Sequence, residues 1–124
     1  MIRREVLFKG KRADNGEWVY GSLILHGSAA YILPEDCVTP FGILKTRVKP
    51  ETIGQFTGEL DRDKTRIFEG DLFRLGAEKQ IFEVRFHAGC FLAYVGNKQW
   101  GLVGELKMCF IKVIGNIHDN AELI

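Results

Sequence analysis

The sequence predicts a mainly β protein with little helix, and three observations carry that expectation. An Asn15-Gly16 pair stands between two runs of β-forming residues, the strongest short-range hairpin signal. Residues 80–86 alternate, with Phe82, Val84 and Phe86 on one side and Glu83 and Arg85 on the other. No window sustains apolar residues at i, i+3, i+4 and i+7, so long helices are not expected.

At the N-terminal end, Val6-Leu7-Phe8 is a short apolar burst ahead of the basic segment Lys9 to Arg12. Beyond Asn15-Gly16, two residues that accept positive φ, the return strand Glu17–His26 carries Trp18, Val19, Tyr20, Leu23, Ile24 and Leu25. A turn at Gly27-Ser28 leads into Ala29–Leu33. Pro34, which has no N–H to donate, ends this three-stranded meander. From Pro34 to Pro50 the pattern weakens, giving the loop expected to be most mobile and the best boundary between two halves. Within it, Lys45–Lys49 alternates basic and non-basic residues and suits a short edge strand with its charges outward.

The centre of the chain, Pro50 to Asp71, reads as a short strand, a polar turn and a second strand entry. Gly54, Gly58 and Gly70, with Asp71, are expected as structural turn positions. Strands are then expected at 71–75, 80–86, 90–95 and 110–114, with turns at 76–78, 87–89 and 96–98. The stretch Trp100–Met108 is ambiguous, with Val103–Leu106 fitting one helical turn. Strands joined by tight turns after a Gly-Asp pair suggest a small SH3-like β-barrel in the C-terminal half, following a β-sheet meander in the N-terminal half.

With 124 residues, a single domain is expected, subdivided into an N-terminal β part (1–57) and a C-terminal β part (58–124). A hydrophobic content of 46% with nine Phe supplies a core without disulfide staples. The formal net charge of +1 gives no bulk attraction to nucleic acid or to membrane. The apolar runs fall far short of the roughly 20 residues that span a bilayer, and the N-terminus lacks the pattern of a secretory signal. Cys37, Cys90 and Cys109 are odd in number and widely spaced, so a reduced, cytoplasmic protein is expected.

Glu59, Asp61, Asp63, Glu69 and Asp71 cluster around the central turn. They lack the offsets of a calcium loop and have no neighbouring histidine, so a solvated turn is the preferred reading over a metal or acid–base site. His87 and Cys90 form an H-x-x-C without the paired clusters that zinc uses. Cys90 and Cys109 are therefore expected in the core, as small apolar groups. His26 and His118 fall in or near turns and read as structural or solvated. Lys9, Lys11 and Arg12, with Arg3 and Arg4 before them and Trp18 and Tyr20 across the hairpin, resemble the basic and aromatic surfaces of single-strand binders. Lysines on an exposed strand also guard against edge pairing, and the overall charge is nearly balanced.

Several blocks in order resemble the YopX-like proteins of phages and prophages, nearly end to end. They are Phe8-Lys9-Gly10-Lys11-Arg12 and Asn15-Gly16-Glu17-Trp18-Val19-Tyr20-Gly21-Ser22-Leu23, then Pro50 to Gly58, Ile67-Phe68-Glu69-Gly70-Asp71, and Val113 to Asn120 with Glu122-Leu123. One departure is Asp63-Lys64-Thr65, where the family turns with Asn-Gly or a similar pair. The resemblance implies a phage-derived origin, hence a host cytoplasm, and a mostly β fold; it assigns no activity to any residue. The expected function is a binding or interaction module without catalysis, cofactor or metal. A protein partner is favoured and a homo-oligomer is compatible. The alternative is a module for single- or double-stranded nucleic acid that uses Lys9, Lys11, Arg12, Trp18 and Tyr20.

Overall fold

A computed structural model describes residues 4–35 and 45–124. The chain is mainly β, its strands forming two antiparallel sheets joined by short turns and four 3-10 turns among the described residues. It divides into two compact units, Met1–Phe56 and Thr57–Ile124.

The first unit has the strand order β4-β3-β2-β1-β5, with β1 at Phe8–Lys11, β2 at Trp18–His26, β3 at Ala29–Pro34, β4 at Thr46–Val48 and β5 at Gly54–Leu60. The β1–β2 hairpin closes where Arg12 N–H donates to the Glu17 carbonyl. Of the two turn residues expected at positive φ, only Gly16 (+75°) takes it. Asn15 contributes its side chain instead, Oδ1 accepting from Glu17 N–H at 2.9 Å. The first strand begins later than the apolar burst suggests and runs through the basic residues. Its side chains alternate, so lysines fall on one face while Gly10 faces a small core of Ala30, Ile32 and Val48, ringed by Val19, Leu23 and Ile53. A 3-10 turn at Pro50–Thr52 is held by the buried Thr52 hydroxyl, which donates to the Lys49 carbonyl and accepts from Lys11 N–H.

In the second unit the continuing β5 reaches Leu60, a polar turn follows, and β6 occupies Arg66–Phe68. That is the strand, turn and strand entry read from the sequence. Gly54 is not a turn residue, however: it is the first residue of β5, opposite Lys9. Gly58 also falls within β5, at φ +90°, whereas Gly70 at φ +91° does make the turn before β7. The five-stranded sheet has the order β10-β9-β8-β7-β11, built from β7 (Asp71–Leu75), β8 (Phe82–His87), β9 (Cys90–Val95), β10 (Lys98–Leu102) and β11 (Ile111–Asn116). The stretch left ambiguous resolves into β10 and a 3-10 turn at Val103–Glu105.

Ile67, Phe73, Phe82, Val84, Ala93, Val103 and Ile111 form the core of this unit, with Phe73 and Phe82 stacked at 5.3 Å. Phe86 shares the parity of Phe82 and Val84 yet is 51% exposed, because it stands at the far end of β8, where its ring packs on Phe91 rather than into the core.

Cys90 and Cys109 are exposed, contrary to the expected burial. The cause is position: Cys90 follows the tight turn Ala88-Gly89, and Cys109 sits in a 3-10 turn at Met108–Phe110 that buries none of its residues. Cys37, Arg3 and most of the loop expected to be mobile lie outside the described residues.

Candidate partner interface on the N-terminal sheet

Residues paired across antiparallel strands share a face. Lys9 lies opposite Tyr20 and Lys11 opposite Trp18, so four of the five residues singled out in the sequence occupy one face of the hairpin. Farther along, Tyr31 is paired both with Ile24 and with Arg47, which extends that face across β3 and β4. The opposite face is taken by the small core. Arg12 bridges to Val48, while Ala13 N–H donates to the Arg47 carbonyl and Lys49 N–H to that of Lys11. These contacts bring β4 back onto the end of β1, although the two are far apart in sequence.

The aromatic rings on this face carry cations. Lys9 Nζ lies 4.5 Å and Lys11 Nζ 5.5 Å from the Trp18 centroid, and Lys45 Nζ lies 4.5 Å from that of Tyr31. The five residues do not play equal parts. Lys9 is only 5% exposed, so its role is to support Trp18, and it is not a contact for an outside partner. Tyr20 is 39% exposed, and Lys11, Arg12 and Trp18 are half-buried.

Arg12, Ala13, Asp14, Lys45, Thr46 and Arg47 line a cleft of about 590 Å³. Asp14 takes the Arg12 guanidinium in a two-point pair, at 3.0 and 2.8 Å. That hydrogen-bonded pairing raises Arg12 above its ordinary value and holds the Asp14 carboxyl below the usual carboxylate range. Lys45 and Arg47 are exposed, and neither makes an ion pair among the described residues. Tyr31, Lys45 and Arg47 were not singled out as site residues in the sequence. The only signal for two of them was the outward alternation of Lys45–Lys49; their approach to Arg12 depends on pairing across the sheet.

The other candidate groups have structural roles. The central carboxylates form a clip: Asp61, fully buried, accepts from Asp63 N–H (2.8 Å) and Thr65 N–H (2.9 Å) through Oδ1, and from Val113 N–H (3.0 Å) through Oδ2. Burial pushes this carboxyl up. The bonds from Val113, Thr65 and Asp63, with the charge of Lys112, outweigh it and leave the group below its ordinary value. Asp63 pairs with Lys112. In the departing turn, Lys64 takes the left-handed conformation at φ +63°. The Asp71 carboxylate accepts from Phe68 N–H at 2.8 Å and closes the Gly70 turn.

His87 pairs with Cys90 directly across its hairpin, and both are exposed. No group of three His, Cys, Asp or Glu that could hold a metal occurs among the described residues. His26 and His118 are exposed, as expected. No helix among the described residues is long and apolar enough to cross a membrane.

Together the fold and this face define a small two-sheet β protein with a basic and aromatic surface on its N-terminal sheet. The chain belongs to the YopX family, matching the family described as YopX protein over residues 7–124. Its fold is similar to the crystal structure of protein EF1440 from Enterococcus faecalis, with a TM-score of 0.63 and 21% identity, covering 98% of this chain and 99% of that one. None of the curated proteins matches.

The last family block now has a physical account. Asn116 Oδ1 accepts from His118 N–H and Asp119 N–H, while Asn120 Oδ1 accepts from Asn116 N–H. A Cβ on Gly115 would stand 2.3 Å from Asn120 Oδ1, so this side-chain lock requires glycine there.

Proposed function

We propose that this YopX-family protein is a cytoplasmic binding module that works without catalysis, and that the basic and aromatic face of its N-terminal sheet is its contact surface. The observation that carries this reading is the gathering of Lys11, Trp18, Tyr20, Tyr31, Lys45 and Arg47 on one side of a sheet whose other side is core, with Arg12 at the end of β1 lining the adjoining cleft. The buried carboxylates support it as well. Asp61 and Asp71 spend their oxygens on backbone N–H groups and are not poised to move protons. For the C-terminal half, an SH3-like barrel remains our reading. It is supported by the order β10-β9-β8-β7-β11, by the 3-10 turns that precede β11, and by register shifts in β10 and β11 of the kind that bend sheets.

The test is a capture experiment from a lysogenic or infected bacterial host, scoring both protein and nucleic acid. Wild type is compared with Lys45→Glu/Arg47→Glu and with the same charge change on the C-terminal sheet and turns, Lys98→Glu/Lys107→Glu. Capture lost only in the first variant is expected; capture lost only in the second would overturn the assignment of the surface.

A further inference from the structure

We infer that the N-terminal face takes single-stranded nucleic acid, with backbone phosphates in the cleft of Arg12, Lys45 and Arg47 and bases stacked on Tyr31 and Trp18. The inference rests on the proposed function and names the partner of that surface. Charge comes first. The face and its cleft bring together Lys11, Arg12, Lys45, Arg47 and Lys49, against Asp14 lining the cleft, Glu17 acting on Arg12 from beside it, and Glu35 beside Trp18 and Tyr20. A net +1 chain has therefore placed its cations unevenly: residues 1–56 hold eight Lys and Arg against six Asp and Glu, and residues 57–124 hold nine against ten. Such local excess attracts a polyanion where the whole-molecule charge does not.

Spacing comes second. Trp18 pairs with Lys11 on β1, β4 closes against the end of β1, and Tyr31 pairs with Arg47 on β4. Three strand spacings separate the two rings by way of that closure, and six residues of β2 separate them along the directly paired β2 and β3, on the order of 15–20 Å by either route. Cations line the path around the closure, Lys11 opposite Trp18, Lys49 beside Lys11 and Arg47 opposite Tyr31. That alternation of ring, positive charge and ring follows the pattern of a flexible strand, whose bases can leave the stack while its phosphates run alongside.

Selectivity follows from the rings. A duplex keeps its base faces stacked and would leave Trp18 and Tyr31 unused, and an acidic peptide would use the charges while making little of the rings. In the free protein Lys45 covers Tyr31 and Lys11 reaches over Trp18. Entry of a base would move these ammonium groups from ring to phosphate, so that each cation keeps a favourable partner throughout.

The experiment measures fluorescence anisotropy of labelled oligo(dT) and oligo(U) of 20 nucleotides, a duplex of equal length and a polyglutamate peptide, over a series of salt concentrations. For wild type, both single strands are expected to bind at least tenfold tighter than the duplex or the peptide. Comparing the two strands shows whether the sugar is read. Arg12→Ser/Lys45→Ser/Arg47→Ser should weaken binding at least tenfold and flatten the log–log salt slope by about 2, the value for three lost contacts to a single strand. Tyr31→Leu should weaken binding about tenfold with the slope kept, while Tyr31→Phe, which preserves the ring, should restore it.

Melting curves separate misfolding from lost contact, and Lys45→Ser/Arg47→Ser alone supplies a variant confined to exposed side chains. The inference is overturned if polyglutamate competes as well as the oligonucleotides, if Tyr31→Leu and Tyr31→Phe behave alike, or if the basic triple variant binds like wild type. In the first case the surface reading survives with an acidic protein as partner. If capture in the preceding experiment is also indifferent to Lys45 and Arg47, both readings fail.

Discussion

The two units solve the same folding problem with different materials. The C-terminal sheet buries two large rings in its interior, Phe73 and Phe82 stacked, with Val84, Val103 and Ile111 filling the gaps. Trp100, 52% exposed, meets Phe82 edge-on from the surface, at 5.1 Å. In the N-terminal sheet the core is small, Ala30, Ile32 and Val48, with Gly10 beneath them, and Trp18, Tyr20 and Tyr31 stand on the other face beside cations. A ring buried in a core stabilises the fold by the area it removes from water. A ring on an outward face contributes less to folding and remains available to a partner. The contrast assigns stability chiefly to the C-terminal sheet and leaves the outward N-terminal face as the contact surface we propose.

The comparison can be broken most sharply at Phe82. Truncation to Ala removes a fully buried ring from the stack with Phe73 and should cost about 3–5 kcal/mol. The corresponding truncation in the small core, Ile32→Ala, should cost about 2 kcal/mol, the low end for a buried aliphatic side chain. Denaturant unfolding followed by Trp fluorescence and far-UV circular dichroism would rank them, and a larger loss at Ile32 would reverse the assignment.

Next comes the Asp61 clip. Asp61→Ala leaves three backbone N–H groups without their acceptor, and a loss of at least about 2 kcal/mol is expected. Its pH signature is specific. Because the folded-state value lies below the ordinary one, the stabilisation is fully present above about pH 4 and is lost as acidification protonates the folded carboxyl. Asp61→Asn should therefore flatten the fall in stability below pH 4 and leave the neutral-pH profile unchanged in shape. A wild-type acid profile in that variant would remove Asp61 from the account.

Gly70 follows, at φ +91° with its turn closed by Asp71. Gly70→Val should cost at least about 1 kcal/mol, read as a drop in melting temperature, and an unchanged melt would show that the conformation is not required. The smallest effect is expected at Lys112. Its pair with Asp63 joins two side chains that are 40% and 51% exposed, so Lys112→Ala should shift stability by about 0.5 kcal/mol or less. A loss comparable to that of Asp61→Ala would mean that the charge, and not the hydrogen-bonded clip, holds this turn.

Legibility in the sequence followed the range of the forces involved. The β class, the Asn15-Gly16 hairpin, the turn at Gly27, the central strand–turn–strand and the spans of β7 and β9 were readable because alternation and turn chemistry act between residues close in the chain. The family blocks were readable for the same reason, and the match over residues 7–124 agrees with them. Half of the candidate surface was visible too, since Lys11–Trp18 and Lys9–Tyr20 are pairs within one hairpin.

Tertiary structure decided the rest. Hairpin register could not show that Lys9 would be buried against Trp18, nor composition that Cys90 and Cys109 would end up exposed, because burial depends on what packs over a residue. Asp61 reads as one more acid in a polar turn until Val113, 52 positions away, supplies its third donor. Arg47 reaches Arg12 only because β4 pairs both with β3 and with the end of β1. Local sequence set each strand and its two faces. The cleft required strands distant in sequence to meet, and the hydrogen bonds that select those partners leave no period in the chain to be read.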